Sequence, residues 1–436
     1  MATLVQRLGL SSTGDRGKWT FSAWIKRSRS VSSGSEFIFS SNNERTGGSN
    51  YSSLLFQNDK LHYYDYYSSA SQVILETNRL FRDFSAWYHI VVRYDSTLGT
   101  ADDRTRFYVN GVQETSMASR TNVGQNVASF FNTSGYDNFI GTQTNNLGGA
   151  FLGSMSHIHL CDGYSYDASA FGETDSTTGE WKIKTSPSVT YGTNGFFILK
   201  DGNSVTDQSG NSNNFTVASG TLTKTEDCPS NVFATWNSIL QGGNMTYANG
   251  NTTATLGGIS RGFASTLADS SGKYYYELKF QSGSYFQAGI VKTSYLWNND
   301  DVWNGKTGAV VYRENGQVYK DASSVSSAFS SLSSGDYIMV AVDLDNNKLY
   351  FGKNGTWGNS GDPTSGSTGT GAISIDSDEY CFACSGASNT IYTNFGNGYF
   401  GTTAVSSAGT NASGNGIFEY DVPTGYTALS TKGLNL

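Results

Sequence analysis

Alternation of apolar and polar residues is common along this chain, the period of a strand with one face on a core. The clearest runs are Trp19-Thr-Phe21-Ser-Ala-Trp24-Ile25, Trp87-Tyr-His-Ile90-Val91-Val92, Arg106-Phe107-Tyr108-Val109, Tyr274-Tyr275-Tyr276-Glu277-Leu278 and Tyr337-Ile338-Met339-Val340-Ala341-Val342. Each is bounded by Gly, Asn, Asp or Ser, residues that accept turn geometry. Asn110-Gly111 and Asn354-Gly355 mark hairpins, because a type I′ turn needs positive φ twice. Helical periodicity is nearly absent, and there are no heptads, collagen-like periods or short tandem repeats. The pattern predicts an all-β protein of antiparallel sandwiches.

At 436 residues the chain is too long for one ordinary domain. A stretch at 201–231 (DGNSVTDQSGNSNNFTVASGTLTKTEDCPSN) is polar and rich in Asn, Ser and Gly, and reads as a long connection carrying one or two short strands. The expected organisation is a sandwich over 1–200, a polar linker over 201–231 and a second sandwich over 232–436. Segments 358–372 and 402–415 read as surface loops. Gly 51 against Pro 4, with Tyr 27 and Phe 25, suits many short strands. Charged residues are only 15% and the net charge is -8, which argues against a nucleic-acid partner. The longest apolar runs, such as Ile338 to Val342, are too short to cross a bilayer, so no membrane insertion is expected. The opening MATLVQRLGL lacks a basic-then-apolar signal pattern.

Two families are resembled at specific residues. WTFSAWIKR (19–27), WYHIVVRY (87–94), TRFYVNGV (105–112), and Ile140-Gly141 followed by FLGSMSHIHL (151–160) resemble, in order, the core strands of a laminin G-like, concanavalin A-type sandwich. KYYYELKF (273–280), QAGIV (287–291), GDYIMVAVDLDNNKLYFGKN (335–354) and NFGNGYF (394–400) resemble a SPRY domain. The resemblances imply a concanavalin A-like jelly roll followed by a SPRY-like sandwich. The linked order of FGETDSTTGEWKIK (171–184), YGTNGFFILKDGNSVTDQSGNSNNFTV (191–217) and the SPRY-like half resembles virion-associated proteins of bacteriophages, especially marine ones.

Catalytic candidates are few. Glu173, Asp175 and Glu180 come nearest to a glycanase set, but the third acid is out of phase for one strand face and Gly172 and Gly179 suggest a loop. His157 and His159 alternate with Ile158 and Leu160, so both would share a strand side, and a hydrogen-bonded surface pair is expected over a metal site. Cys381 and Cys384 resemble a CxxC pair, yet i and i+3 of a strand face opposite ways, so buried free thiols are expected. Asp343-Leu-Asp345-Asn346-Asn347 begins like a Ca²⁺ loop but lacks the later ligands of an EF-hand, and reads as a turn. Asp102 and Asp103, near Asp95, are candidate ligands for a laminin G-like rim Ca²⁺, against a charged hairpin as the plain alternative. No other cofactor is called for.

Aromatic residues carry the binding signal. In a strand, Tyr64 and Tyr66 share one face and Tyr63, Asp65 and Tyr67 the other, so one set is exposed, able to stack on sugars or anchor a protein interface. Tyr295, Trp297, Asp300, Asp301 and Trp303, in a polar loop of the SPRY-like half, form a second candidate patch. The function expected is a non-enzymatic phage virion surface protein of tail-fibre or adhesin type, made in the host cytoplasm and displayed on the tail or head exterior. Its partners would be other virion proteins, further copies of itself, and a host surface glycan or protein. A capsid-decoration or joint protein with purely structural contacts, and a glycan depolymerase, are the alternatives.

Overall fold

In the computed structural model the strands gather into two compact units, Met1–Lys224 and Thr225–Leu436. The structure describes residues 3–44, 49–67, 70–240, 245–258, 261–282, 284–296, 303, 306–326 and 329–435. Short 3-10 turns are the only helical pieces among the described residues.

The first unit contains β1 (Leu4–Arg7), β2 (Lys18–Arg27), β3 (Ser35–Asn42), β4 (Tyr51–Gln57), β5 (Lys60–Tyr67), β6 (Ala70–Thr77), β7 (Tyr88–Asp95), β8 (Thr105–Val109), β9 (Val112–Glu114), β10 (Met117–Thr121), β11 (Asp137–Ile140), β12 (Gly153–Asp162), β13 (Gly172–Thr174), β14 (Trp181–Ile183), β15 (Phe196–Ile198) and β16 (Thr216–Ser219). They form an eight-stranded sheet, β10-β6-β5-β4-β3-β11-β1-β16, a six-stranded sheet, β15-β12-β2-β7-β8-β9, and the small hairpin β13-β14. Trp19, Phe21, Ala23 and Ile25 from one large sheet meet Phe39, Leu54, Phe56 and Tyr63 from the other in a single core. The alternation read in the sequence is thus a real two-faced pattern. At the β8–β9 turn Asn110 and Gly111 have φ of 48° and 81°, as the Asn-Gly pair predicts.

Segment 163–195 lies over the outer face of the six-stranded sheet and buries Phe171 against Val91, Tyr108 and Cys161. Trp181 donates from Nε1 to His89 Nδ1 at 3.0 Å. His89 Nε2 therefore carries the proton and donates to Ser22 Oγ at 2.9 Å.

The polar stretch at 201–231 is divided between the units. β16 pairs with β1 (Val5↔Val217), and Phe215 packs edge-on against Phe196 at 4.7 Å. The Asp207 carboxylate accepts from the backbone N–H of Phe197, Ser209 and Asn213 at 2.8 to 2.9 Å. Asn211 and Asn213 donate to Gly195 O. The D-x-SGN-x-NN string is therefore a hydrogen-bonded knot that closes the first sandwich past residue 200.

The second unit contains β17 (Met245–Ala248), β18 (Thr253–Leu256), β19 (Arg261–Asp269), β20 (Lys273–Phe280), β21 (Ser284–Lys292), β22 (Ala309–Arg313), β23 (Val318–Lys320), β24 (Ser323–Ser326), β25 (Tyr337–Asp343), β26 (Lys348–Lys353), β27 (Thr356–Trp357), β28 (Ile373–Ser374), β29 (Tyr380–Ala387), β30 (Thr390–Asn394), β31 (Tyr399–Phe400), β32 (Thr403–Ala404) and β33 (Thr427–Ala428). One large sheet runs β17-β18-β30-β20-β25-β26-β27, with β28 beside β26 and β33 beside β20; a second runs β19-β29-β21-β22-β23-β24, and β31-β32 form a small hairpin. β33 joins β20 in parallel, a departure from the antiparallel pattern. Tyr276 and Gly289, from two of the strings that resembled a SPRY domain, meet directly. The Tyr276 hydroxyl donates to Gly289 O at 2.8 Å and accepts from Gly289 N at 3.1 Å.

Candidate functional site

The two-residue turn Asn58-Asp59, both at positive φ, sets the β4–β5 register. Counting back from it pairs Tyr64 with Ser53 and Tyr66 with Tyr51. Tyr63 and Asp65 then face the core, and Tyr64 and Tyr66 the outer face of the eight-stranded sheet.

Tyr63 corrects the expectation of an exposed ring: it is fully buried, edge-on to Trp19 at 5.6 Å. Its hydroxyl donates to Asp65 Oδ1 at 2.7 Å, and Ser52 donates to the same atom. Burial pushes the Asp65 carboxyl up to about 6. These residues belong to the interior because the sandwich needs one face of β5 for its core.

The other three tyrosines remain at the surface. Tyr66 stacks on Tyr51 with centroids 4.9 Å apart and planes 13° apart. The Tyr64 hydroxyl lies 2.8 Å from His62 Nδ1 and 3.2 Å from Gln57 Oε1. Tyr67, at the end of β5, is 51% exposed and lies parallel to Phe130 at 6.1 Å. Phe130 in turn stacks on Tyr136 at 6.0 Å, with the Arg16 guanidinium 5.7 Å from its centroid. The Asn50 side chain meets the Tyr136 hydroxyl. Burial, with Tyr66, Tyr64 and Glu44 nearby, raises the Tyr51 phenol, so it stays a neutral donor.

Across the same outer face, register places Asp137, Asn42, Tyr51 and Tyr66 in one row, and Gln6, Phe139, Ser40, Ser53 and Tyr64 in the next. A cavity of about 160 Å³ opens on these rows, lined by Leu4, Gln6, Asn42, Glu44, Asp137 and Phe139 among others. The buried Gln6 Oε1 has no hydrogen-bond partner among the described residues. The arrangement can stack a flat ligand face on Tyr51, Tyr66 or Tyr67, with the Gln6 amide at the neighbouring cavity. Tyr51, Phe130, Tyr136 and the cavity were missed in the sequence. Tyr51 was within reach, because the Asn58-Asp59 turn alone pairs it with Tyr66.

In the second unit Trp303 corrects the loop-patch expectation. It is 2% exposed, donates from Nε1 to Cys384 O at 2.8 Å, and packs with Val291, Val311 and Ala383. Tyr295 is 38% exposed, on the turn Thr293–Tyr295. Trp297, Asp300 and Asp301 lie outside the described residues.

The three acids proposed for Ca²⁺ are each engaged separately. Asp95 meets Lys18 Nζ at 3.4 Å and accepts from Ser165 Oγ at 3.1 Å. Asp102 meets Arg120 at 3.3 Å and Asn122 at 2.6 Å, while Asp103 pairs with Arg106. Among the described residues no group of three or more His, Cys, Asp or Glu side chains is placed to hold a metal ion.

Glu173 and Asp175 flank Lys182 at 3.6 and 3.1 Å in the exposed β13–β14 hairpin. The histidine pair is not a surface pair: a bulge with His157 at φ 48° separates the two, and His159 is buried against Phe197 at 3.9 Å. Cys381 and Cys384 are free, buried and on opposite faces of β29.

Residues 7–164 match a laminin G-type family model described as the concanavalin A-like lectin/glucanases superfamily. No curated protein sequence matches the chain. Among solved structures the chain is similar to the SPRY domain of human HERC1, at 18% identity over 36% of this chain and 96% of that one, with a TM-score of 0.29. It is also similar to a native heptameric SAP-like pentraxin from Limulus polyphemus, at 17% identity over 38% of this chain and 71% of that one, with a TM-score of 0.27. A third is the mouse laminin alpha1 chain, domains LG4-5, at 12% identity over 88% of this chain and 78% of that one, with a TM-score of 0.29. The class is an all-β chain of antiparallel sheets with almost no helix. Its first unit carries a laminin G-like, concanavalin A-like domain, and SPRY domains are among its structural neighbours.

Proposed function

We propose that this chain is a non-enzymatic surface protein of a bacteriophage virion, of tail-fibre or adhesin type, that holds a host-surface glycan or protein. Laminin G-like domains often serve as carbohydrate- or protein-binding adhesion modules, which supports a binding role. The observation that carries the reading is the set of surface rings Tyr51, Tyr64, Tyr66 and Tyr67 beside the cavity that Gln6 lines on the outer sheet face. Flat amphipathic rings next to amides suit ligands with one apolar face and many hydroxyls. The phage assignment rests on the strings at 171–184 and 191–217. On a particle, many copies of a weak site yield strong adhesion by avidity. Partners would include other virion proteins and further copies of the chain.

The test has two arms. The purified chain is assayed against envelope polysaccharides of candidate bacterial hosts, with Tyr66→Ala and Tyr67→Ala beside the wild type. Binding that both substitutions weaken supports the reading. Absence of binding, with these rings covered in the assembled particle, replaces it with a decoration or joint protein. Shortening of the polysaccharide on incubation replaces it with a depolymerase. Antibody labelling of virions decides head or tail.

A further inference from the structure

The second unit carries a cleft of about 410 Å³ that the reading above does not use. Its lining includes Tyr312 on β22, Gly352 on β26, Phe329, Ser330, Thr356 and Trp357. The lining residues are fixed by contacts of their own. Tyr312 donates to Ser330 O, Lys353 Nζ donates to Ser331 O at 3.1 Å, and the Phe329 ring packs on Tyr312 at 5.5 Å. Trp357 turns an edge to Tyr275 at 6.4 Å and Tyr350 at 6.5 Å, so its ring is held while remaining partly exposed. Glycines let the lining rings pack closely against the backbone. A Cβ at Gly358 would lie 2.2 Å from the Phe329 ring, and one at Gly352 would lie 3.1 Å from the Trp357 ring.

The chemistry on offer is specific. Trp357 Nε1, Thr356 Oγ1 and Ser330 Oγ have no partner among the described residues. The acceptors nearby are already used: Asp336 takes Ser333 N, Asn354 Nδ2 and Lys353, and Asn354 Oδ1 takes Tyr337 N. The lining of the cleft therefore carries an indole and three groups without a partner, and, among the described residues, no unengaged carboxylate beside it. A purely apolar ligand would leave those groups unsatisfied. A phosphate would need more cations than Lys353, which is already paired. A pyranose satisfies both demands, with an apolar C–H face for the indole and ring hydroxyls for the polar groups.

We propose that this cleft binds one pyranose unit of a glycan, stacked on Trp357. The site is independent of the outer-face rings of the first unit. The full chain, ¹⁵N-labelled, is titrated with cellobiose, maltose, lactose, diacetylchitobiose and digalacturonate while the tryptophan indole resonances are followed; Trp357→Phe assigns the reporting peak. The expected result is saturable movement of the Trp357 indole with at least one sugar. Trp357→Ala should weaken that binding at least ~10-fold, and Thr356→Val, which removes one exposed hydroxyl, by a smaller factor. Tyr66→Ala should leave it unchanged, which separates this site from the first-unit patch. No movement with any of the five sugars at their solubility limit overturns the proposal. So does wild-type affinity in Trp357→Ala or Thr356→Val, or a larger response to inorganic phosphate than to every sugar.

Discussion

Glu277 is a fully buried acid at the centre of a four-donor cluster in the second unit. It sits on β20, fully buried, and its carboxylate accepts from Glu419 N and Tyr420 N at 2.9 Å, Tyr275 Oη at 2.8 Å and Asn394 Nδ2 at 3.3 Å. It thereby ties the C-terminal segment to the sheet. Glu277→Ala would strand Glu419 N, Tyr420 N and Tyr275 Oη, since Asn394 Nδ2 keeps Ile417 O, at about 1 kcal/mol or more each, for a loss on the order of 3 kcal/mol. The milder Glu277→Gln keeps the shape but removes the charge. Burial pushes the Glu277 carboxyl from 4.5 up to about 7, outweighing the four donors that pull it down. A carboxyl raised in the folded state contributes stability below its unfolded value and loses it as pH rises through the folded one. At about 1.4 kcal/mol per pH unit, the wild type should lose roughly 3 kcal/mol between pH 4.5 and 7 that Glu277→Gln does not lose. Hydrogen exchange of peptides covering 415–426, read by mass spectrometry across that range, isolates the effect as the difference between the two proteins. A difference that stays flat with pH refutes the reasoning. A wild type that gains on the glutamine variant as pH rises refutes it too, and would mean that the four donors outweigh burial.

The first unit should respond to pH in the opposite sense. All four histidines lie in it, and burial lowers each, His89 to about 3 and His157 to about 4. Proton uptake by the four histidines then favours the unfolded chain below about pH 6.5, against the opposite pull of Asp65, raised to about 6, so calorimetry should show this unit's transition falling as pH drops from 7 to 5. Gly289→Ala should destabilise the second unit by roughly 2 kcal/mol or more, since the new Cβ would lie 2.0 Å from Val310 O; a melting temperature within a degree of wild type would contradict the packing. Tyr63→Phe should cost about 1 kcal/mol by removing a donor to Asp65, whereas Tyr66→Ala should barely change stability, as urea titration of each variant would show. Added Ca²⁺ or EDTA should leave the first unit's melting point unchanged, because Asp95, Asp102 and Asp103 already have separate partners.

What could be read from the sequence was local. Alternation found β2, β7, β8, β20 and β25, and the Asn-Gly pairs found their turns, because each signal spans a few residues. For the tyrosine run, strand periodicity predicted two faces but could not say which was buried. That was decided by β4 on one side and by Trp19 and Tyr94 across the core. Trp303 looked like a loop aromatic because its sequence neighbours are polar, yet its partners, Cys384 and Phe263, are remote in the chain. The 201–231 stretch looked like linker because polar composition does not distinguish a solvated chain from a hydrogen-bonded knot. Phe215, one apolar residue amid the asparagines, was the local clue that it returns to a core.

The recurrent device in both units is a buried acid that collects backbone N–H groups from a remote loop. Asp162 takes Asp15 N and Asn194 N, Asp207 takes Phe197 N and Asn213 N, and Glu277 takes Glu419 N and Tyr420 N. A chain of short strands without helices leaves many loop amides with no ladder partner, and burying them unpaired would cost more than burying a well-bonded carboxylate. The device also explains how a protein with few charges can hold long loops over its sandwiches. With the loops tied from within by acids, surface aromatics such as Tyr66, Tyr67 and Trp357 are not the main fastenings of the fold. Substituting them should therefore alter recognition far more than stability, and that separation makes the two proposed sugar-facing surfaces testable by mutation.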